Sequence, residues 1–292
     1  MKENCCNKDA YLIVAHKQLP LLKSLIAALD YPQNDIFVHV DKKCAEYSPE
    51  VLNGLTKYSS LYIYQKYDVR WGDCSQVDTE MLLFKSAHQT NHYRYYHLLS
   101  GQDLPIKPID EIYHFFDEKT IQYLEFGSDS HDMYRFRLGQ YHSNERTPAL
   151  KKRYLTFCNL INNKLHRDRL PRCGYKVYKG SNWCSLSGDA VSYLVKNRSL
   201  IRRLTRNTLC ADEVYKHTLL MNASVQFLIN RGEDIRYIDW MHHEGNSPHT
   251  LTMDDYELLK ASDRLFARKF DLEKDEEIIN RILQDITEQV SV

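Results

Sequence analysis

The sequence predicts an α/β protein with a mostly parallel central sheet flanked by helices, and three observations carry that prediction. Ala10-Tyr11-Leu12-Ile13-Val14-Ala15 is a continuous apolar run, the pattern of a strand buried on both faces of a parallel sheet. From Leu19 to Leu29, Leu recurs at helical spacing and the pattern stops at Asp30-Tyr31-Pro32. Ile36-Phe37-Val38-His39-Val40 then supplies a second buried strand, closing a βαβ unit of about thirty residues. The alternation continues with a strand at 61–64, a helix at 78–88 and a strand at 95–99 that ends at Ser100-Gly101. A helix begins at 111–116 and a strand follows at 121–126. Beyond these lie a strand at 183–186, helices at 190–195 and about 212–222, a late strand at 236–240, and closing helices.

Composition bounds the function. The 292 residues carry 39 basic and 39 acidic side chains, so overall basicity is not available for binding nucleic acid. Hydrophobic residues at 43% and charged residues at 27% exclude a disordered chain, a collagen and a coiled coil. Ten Gly and eight Pro are too few for a loop-rich β-sandwich. No repeat or linker interrupts the pattern, which favours one domain over residues 1–292. The 21 Tyr and 13 His fit either an aromatic-lined cleft that stacks on sugar rings or a core in which Tyr replaces Phe.

No window reaches the 18 apolar residues of a membrane span, and the start, Met1-Lys2-Glu3-Asn4-Cys5-Cys6, has no leader pattern. The expected location is the cytoplasm, with reduced thiols. The eight Cys form no CxxC pair, so a zinc site is unsupported. Residues 151–172 are strongly basic through Lys151, Lys152, Arg153, Lys164, Arg167, Arg169 and Arg172. They form either a solvated helix or loop, or a basic face for a phosphate-rich membrane or an anionic acceptor.

In an open α/β sheet the ligand crevice lies at the carboxyl ends of the strands. Here the loops at those ends begin at His16, Asp41, Tyr67 and Ser100. Neither GxGxxG nor GxxxxGK[ST] occurs, so neither a dinucleotide site nor a P-loop is indicated.

An ordered series of peptides resembles the core-2/I-branching glycosyltransferase family, which also holds the peptide O-xylosyltransferases. It runs through Tyr11–His16, Phe37–Lys43, Val69-Arg70-Trp71-Gly72, Leu98–Lys107 and Lys179-Gly180-Ser181-Asn182-Trp183. It continues with Ala211-Asp212-Glu213, Asp239-Trp240, Ser247-Pro248 and Leu265–Asp271, spanning nearly the whole chain. The resemblance implies a GT-A-like fold, with residues 9–126 as the nucleotide-sugar half and 127–292 as the acceptor and catalytic half. It also implies inverting, metal-independent transfer from a UDP-sugar to a glycan or lipid-linked glycan. N-acetylglucosamine is the first donor sugar expected and xylose the second. A non-catalytic carbohydrate-binding protein of the same fold is the alternative. A bacterial chain of this kind would build surface polysaccharide, with peripheral contact at the inner membrane face.

The resemblance also distributes roles. GT-A enzymes usually hold a divalent metal on a DxD motif, but here the corresponding strand end reads Ser100-Gly101-Gln102-Asp103, and no metal or other cofactor is expected. The matched peptide makes Lys269 the diphosphate ligand, with Arg268 or His249 as a second cation. Neither Asp254-Asp255 nor Ser128-Asp129-Ser130 replaces the motif. Glu213 is the expected general base, in the first turn of the 212–222 helix, with Asp212 available as its cap. Asp41 is expected to contact uracil or ribose, or else to cap a turn. Val14 and His16 border the uracil pocket unless His16 is simply a satisfied histidine. Arg70 and Trp71 shape the donor site, or Trp71 stacks on the acceptor. Asp103 either contacts donor hydroxyls or holds the turn before Pro105. Arg135, Arg137, Trp183 and Trp240 are the acceptor candidates, with Trp183 expected beneath the site.

Overall fold

Strand β1 (Asp9–Ala15), helix α1 (Leu19–Ala28) and strand β2 (Asn34–Val40) form the opening βαβ unit, with β1 and β2 parallel in the register Tyr11↔Ile36. The structure is a computed structural model that describes residues 7–127, 131–144, 147–170, 175–230 and 234–288. Ser128-Asp129-Ser130 and Arg172 lie outside the described residues. The chain continues through β3 (Ser60–Tyr64), α2 (Cys74–Thr90), β4 (Tyr95–Ser100), β5 (Asp103–Pro105), α3 (Ile109–Phe115) and β6 (Gln122–Phe126). Next come α4 (His131–Gly139), α5 (Ala149–Lys164), β7 (Gly180–Ser187), α6 (Gly188–Lys196), α7 (Arg198–Thr205), a 3-10 turn at Ala211–Glu213 and α8 (Tyr215–Met221). The last elements are β8 (Ile229–Asn230), β9 (Arg236–Ile238), α9 (Tyr256–Ala261), β10 (Phe266–Arg268) and α10 (Glu276–Glu288).

Seven strands make the main sheet in the order β3-β2-β1-β4-β7-β6-β8. Only β7 runs antiparallel to its neighbours, so the expected α/β architecture with a mostly parallel sheet is borne out. The continuous apolar run of β1 divides between two cores, because successive side chains point to opposite faces. Tyr11 and Ile13 pack with α1, α10 and Phe266 on one face, while Ala10 and Leu12 pack with α2, α6 and α8 on the other. The tyrosine excess belongs to these cores, with Tyr11, Tyr93, Tyr95, Tyr96 and Tyr215 almost completely buried.

The two ends of the sheet are finished differently. At the amino end, buried Asp9 receives Arg94 bidentately, Nε at 3.1 Å and Nη2 at 3.0 Å, which satisfies both carboxylate oxygens. At the carboxyl end, Asp41 N donates to Ala15 O (2.8 Å) and Gly101 N to Val14 O (2.9 Å). The backbone stays paired up to the loops, so their first side chains start from fixed positions. A small second sheet, β5-β10-β9, lies beside this end and pairs Arg268 with Asp103 across its strands.

The expected helix over 212–222 is two pieces. Val214, at φ −124°, separates the turn Ala211–Glu213 from α8, so Glu213 precedes the helix instead of occupying its first turn. Strands β5, β8 and β10 and helices α4 and α7 went unanticipated. Two or three residues carry no readable period, and such strands exist only through tertiary pairing.

Gly180 opens β7 where it crosses the end of β6. A Cβ there would lie 1.7 Å from the Glu125 carbonyl oxygen and 2.4 Å from His217 Nε2. Gly180→Ala is therefore expected to destabilise the fold by about 3 kcal/mol, seen as a lower midpoint in urea denaturation.

Candidate active site

A cleft of about 820 Å³ opens at the carboxyl ends of β1, β2 and β4, within the size range of small-molecule sites. Of the residues expected from sequence, Val14, His16, Asp41, Trp71, Trp183, Glu213, Trp240, Arg268 and Lys269 line it. No Tyr is among its lining residues. Four other expected residues sit elsewhere: Arg70 faces a neighbouring pocket, Asp103 is buried beneath the cleft, and Arg135 and Arg137 lie outside the lining.

One end of the cleft is cationic. Asp41 is buried and accepts Lys43 N at 2.8 Å, a turn that aims its carboxylate along the end of β2. His16 stands at the rim, and its pKa is lowered by desolvation and then by Lys17, Lys269 and Arg268, against the pull of Asp41. Lys17 reaches Asp271 at 3.0 Å. Arg268 donates to Asp103 Oδ1 at 2.7 Å while its guanidinium lies 4.3 Å over the ring of Trp183.

Asp103 is accordingly committed. Its other oxygen accepts Ser100 N at 2.8 Å, and burial raises its pKa against the opposing charge of Arg268. Of its two expected roles the structure shows the turn-holding one, and it also anchors Arg268. Lys269 O accepts Leu251 N at 2.9 Å, but among the described residues its ammonium makes no hydrogen bond or ion pair, although the residue is half-buried. Desolvation, Lys17 and Arg268 lower its pKa, in that order. A cation crowded by cations and lacking a partner is suited to an anion. His249 is bonded instead to Asp255 at 3.1 Å.

The other end of the cleft holds the carboxyl groups. Glu213 Oε2 accepts Arg137 Nη1 at 2.7 Å and lies 3.5 Å from Lys179 Nζ. Arg137 thus acts on Glu213, and Arg135 is held away from the cleft by Asp168 at 2.6 Å. Asp212 forms no cap: its Oδ1 is buried without a partner. Burial, then Glu80 and Glu213, push its pKa up to about 7. Beneath the turn, the buried ammonium of Lys216 donates to Glu80 Oε2 (2.6 Å), Asn182 Oδ1 (2.6 Å) and the Asp212 carbonyl (3.1 Å). One side chain thereby joins α2, β7 and the turn that carries Glu213.

Glu125, at the end of β6, also lines the cleft. Its pKa is raised to about 7 by desolvation and then by Asp234. His217 Nε2 donates to the Glu125 carbonyl at 2.9 Å, and burial lowers the His217 pKa to about 3, so the ring is neutral. Lys17, Lys43, Glu125, Lys179 and Asn182 are site residues that sequence reasoning missed. Glu125 had a signal, as a carboxylate ending a predicted strand. Lys179 and Asn182 sit in a peptide from which only Trp183 was assigned a role. Among the described residues no three His, Cys, Asp or Glu side chains converge as a metal site.

The family model of the core-2/I-branching enzymes matches residues 10–262. The chain belongs to that family. Its mostly parallel α/β sheet flanked by helices is the architecture the sequence predicts. Within the family, the chain is 24% identical over 283 residues to beta-glucuronosyltransferase GlcAT14A of Arabidopsis thaliana, covering 89% of this chain and 61% of that protein. It is likewise 24% identical to xylosyltransferase oxt of Drosophila melanogaster, over 90% of this chain and 31% of that one. A human beta-1,3-galactosyl-O-glycosyl-glycoprotein beta-1,6-N-acetylglucosaminyltransferase is also 24% identical, over 81% of this chain and 56% of its own length. The chain thus spans about three fifths or less of these family members, whose names specify three different transferred sugars.

Two stability measurements check the anchoring of the carboxylate end of the cleft. Lys216→Met leaves Glu80 buried without its ion-pair partner and is expected to cost about 3–5 kcal/mol, whereas Glu80→Gln with Lys216→Met recovers much of that loss in urea denaturation. For Asp212, a folded pKa of about 7 against an ordinary 3.8 means that the folded state holds the proton more tightly. That stabilisation is complete below the ordinary value and is lost as pH rises through about 7. Wild type should therefore lose stability relative to Asp212→Asn across this window, by at most about 1.4 kcal/mol per pH unit.

Proposed function

We propose that this chain transfers a sugar from a UDP-sugar to a glycan hydroxyl with inversion at the anomeric carbon, Glu213 acting as general base and Lys269 as diphosphate ligand. The observation that carries this reading is the placement of the two groups. Ala211 and Val214, flanking Glu213, pack in the core on one face of the sheet, whereas Phe266 and Phe270, flanking Lys269, pack in the core on the other. Both side chains still line one cleft. In-line displacement needs base and leaving group on opposite sides of the reacting carbon, which suits this division.

In the step itself, the acceptor oxygen bonds to the anomeric carbon while the bond from that carbon to the diphosphate oxygen breaks. The acceptor proton passes to Glu213, whose Oε2 is held by Arg137 and Lys179. The electron pair leaves on the diphosphate, where Lys269 meets the developing charge. Asp41 and Lys43 border the nucleoside end, and Trp240, about half exposed at the rim, offers a face for an acceptor ring.

Reaction without a resident metal is part of the proposal. The carboxylate at the end of β4, Asp103, is buried and already bonded to Arg268 and Ser100, so it does not fit a divalent ion without losing both partners. Fixed cations supply the corresponding positive charge. N-acetylglucosamine leads the donors to be tried, followed by xylose and glucuronic acid.

Saturation-transfer NMR with these UDP-sugars in EDTA, followed by turnover assays, tests the reading. Uridine contacts should persist in EDTA and weaken about tenfold or more in Lys269→Ala. Glu213→Gln should keep UDP binding but lower turnover by about 10²–10⁴-fold. Binding that requires added Mn²⁺ overturns the metal-free site, and full turnover in Glu213→Gln overturns the assignment of the base.

A further inference from the structure

Helix α5 carries an apolar face that the described residues do not cover. Leu155 is the buried residue of the helix, while Leu150 is 81% exposed, Tyr154 63%, Phe157 59% and Leu160 62%. Leu150, Tyr154, Phe157 and Ile161 recur at spacings of four, three and four, which places them in one stripe along the helix. Exposed apolar residues scattered singly are ordinary, but a contiguous stripe marks a surface that meets something.

The charges around the stripe say what it meets. Residues 147–167 contain Lys151, Lys152, Arg153, Lys164 and Arg167 but no Asp or Glu, although the whole chain has equal numbers of acids and bases. At 100° per residue, Arg153 and Lys164 lie along one edge of the apolar stripe. The core of a protein–protein interface is depleted in Lys, whereas an interfacial lipid-binding helix combines Leu and aromatic residues with Lys and Arg. Cationic side chains beside such a stripe can extend to phosphate groups while their stems remain on apolar surface. No described helix is long and apolar enough to cross a membrane, so this arrangement suits a helix lying in the plane of the interface.

We propose that α5 docks flat on the surface of an anionic lipid bilayer. The helix is held to the body by Leu155 and by a reciprocal pair of hydrogen bonds, Tyr141 N to Asn159 Oδ1 (2.9 Å) and Asn159 Nδ2 to Tyr141 O (2.7 Å). Lys152 lines a second pocket, of about 700 Å³, which shares Lys43, Val69 and Trp71 with the main cleft. Lys152 lies on the face of α5 opposite the stripe, so docking would leave this pocket on the body side of the helix, turned away from the bilayer.

Flotation of the whole chain with phosphatidylcholine vesicles, and with vesicles containing about one third phosphatidylglycerol, tests docking directly. The chain should bind the anionic vesicles on the order of tenfold more strongly than the neutral ones and be released by high salt. The double variants Phe157→Asp with Leu160→Asp, and Arg153→Glu with Lys164→Glu, should lose binding with unchanged thermal melting, because all four residues are exposed. Absence of flotation, or equal binding to both vesicles, overturns the proposal. So does a dimer seen by light scattering that Phe157→Asp dissolves, since it assigns the face to a second copy. Turnover on a soluble acceptor is read separately: its absence counts against the proposed activity and leaves the vesicle result unaffected.

Discussion

The ion pair between Asp103 and Arg268 joins two parts of the chain separated by 165 residues, and the cationic end of the cleft depends on it. Asp103 leaves the end of β4, and Arg268 ends β10, its partner in the small sheet. Burial alone disfavours the carboxylate; Arg268 and the Ser100 amide offset part of that cost. The pair consequently holds the peptide carrying Lys269 across the end of β4. Phe270 N reinforces it by donating to Gln102 O at 2.9 Å. Lys269 remains available because its neighbour has taken the structural duty.

Lys216 does the corresponding work on the opposite face. Its ammonium has three acceptors from three segments, so the turn at Ala211–Glu213 is fixed to α2 and to β7 together. A buried charge tolerates little displacement of its acceptors, since each lost hydrogen bond exposes the desolvation penalty. The cleft is thus bounded by two regions held through buried ion pairs, one presenting a cation and the other a carboxylate.

Much of this was legible in particular residues. The apolar runs of β1, β2 and β4 announced a parallel sheet, and the first residues after them, His16 and Asp41 among others, reach the crevice as that topology requires. Glu213 and Lys269 were legible through their surrounding peptides. Arg137 was read as an acceptor contact, yet its guanidinium bonds Glu213, and Arg70 was read as a donor contact, yet it pairs with Asp68 at 2.6 Å. For such long side chains the sequence places the backbone, and the nearest unpaired carboxylate chooses the direction. The exposed stripe of α5 shows the same limit, because its helical spacing equally suits a helix packed on a core.

The sequence by itself determined the opening βαβ unit, the location of the crevice and the family, since these follow from local periodicity and from contiguous peptides. Tertiary structure decided which cations are free and which are spent, that Glu213 precedes α8 in a separate turn, and that α5 faces outward. Those outcomes depend on pairings between residues tens to hundreds of positions apart. Desolvation and Coulomb attraction act through space, and no periodicity along the chain records them.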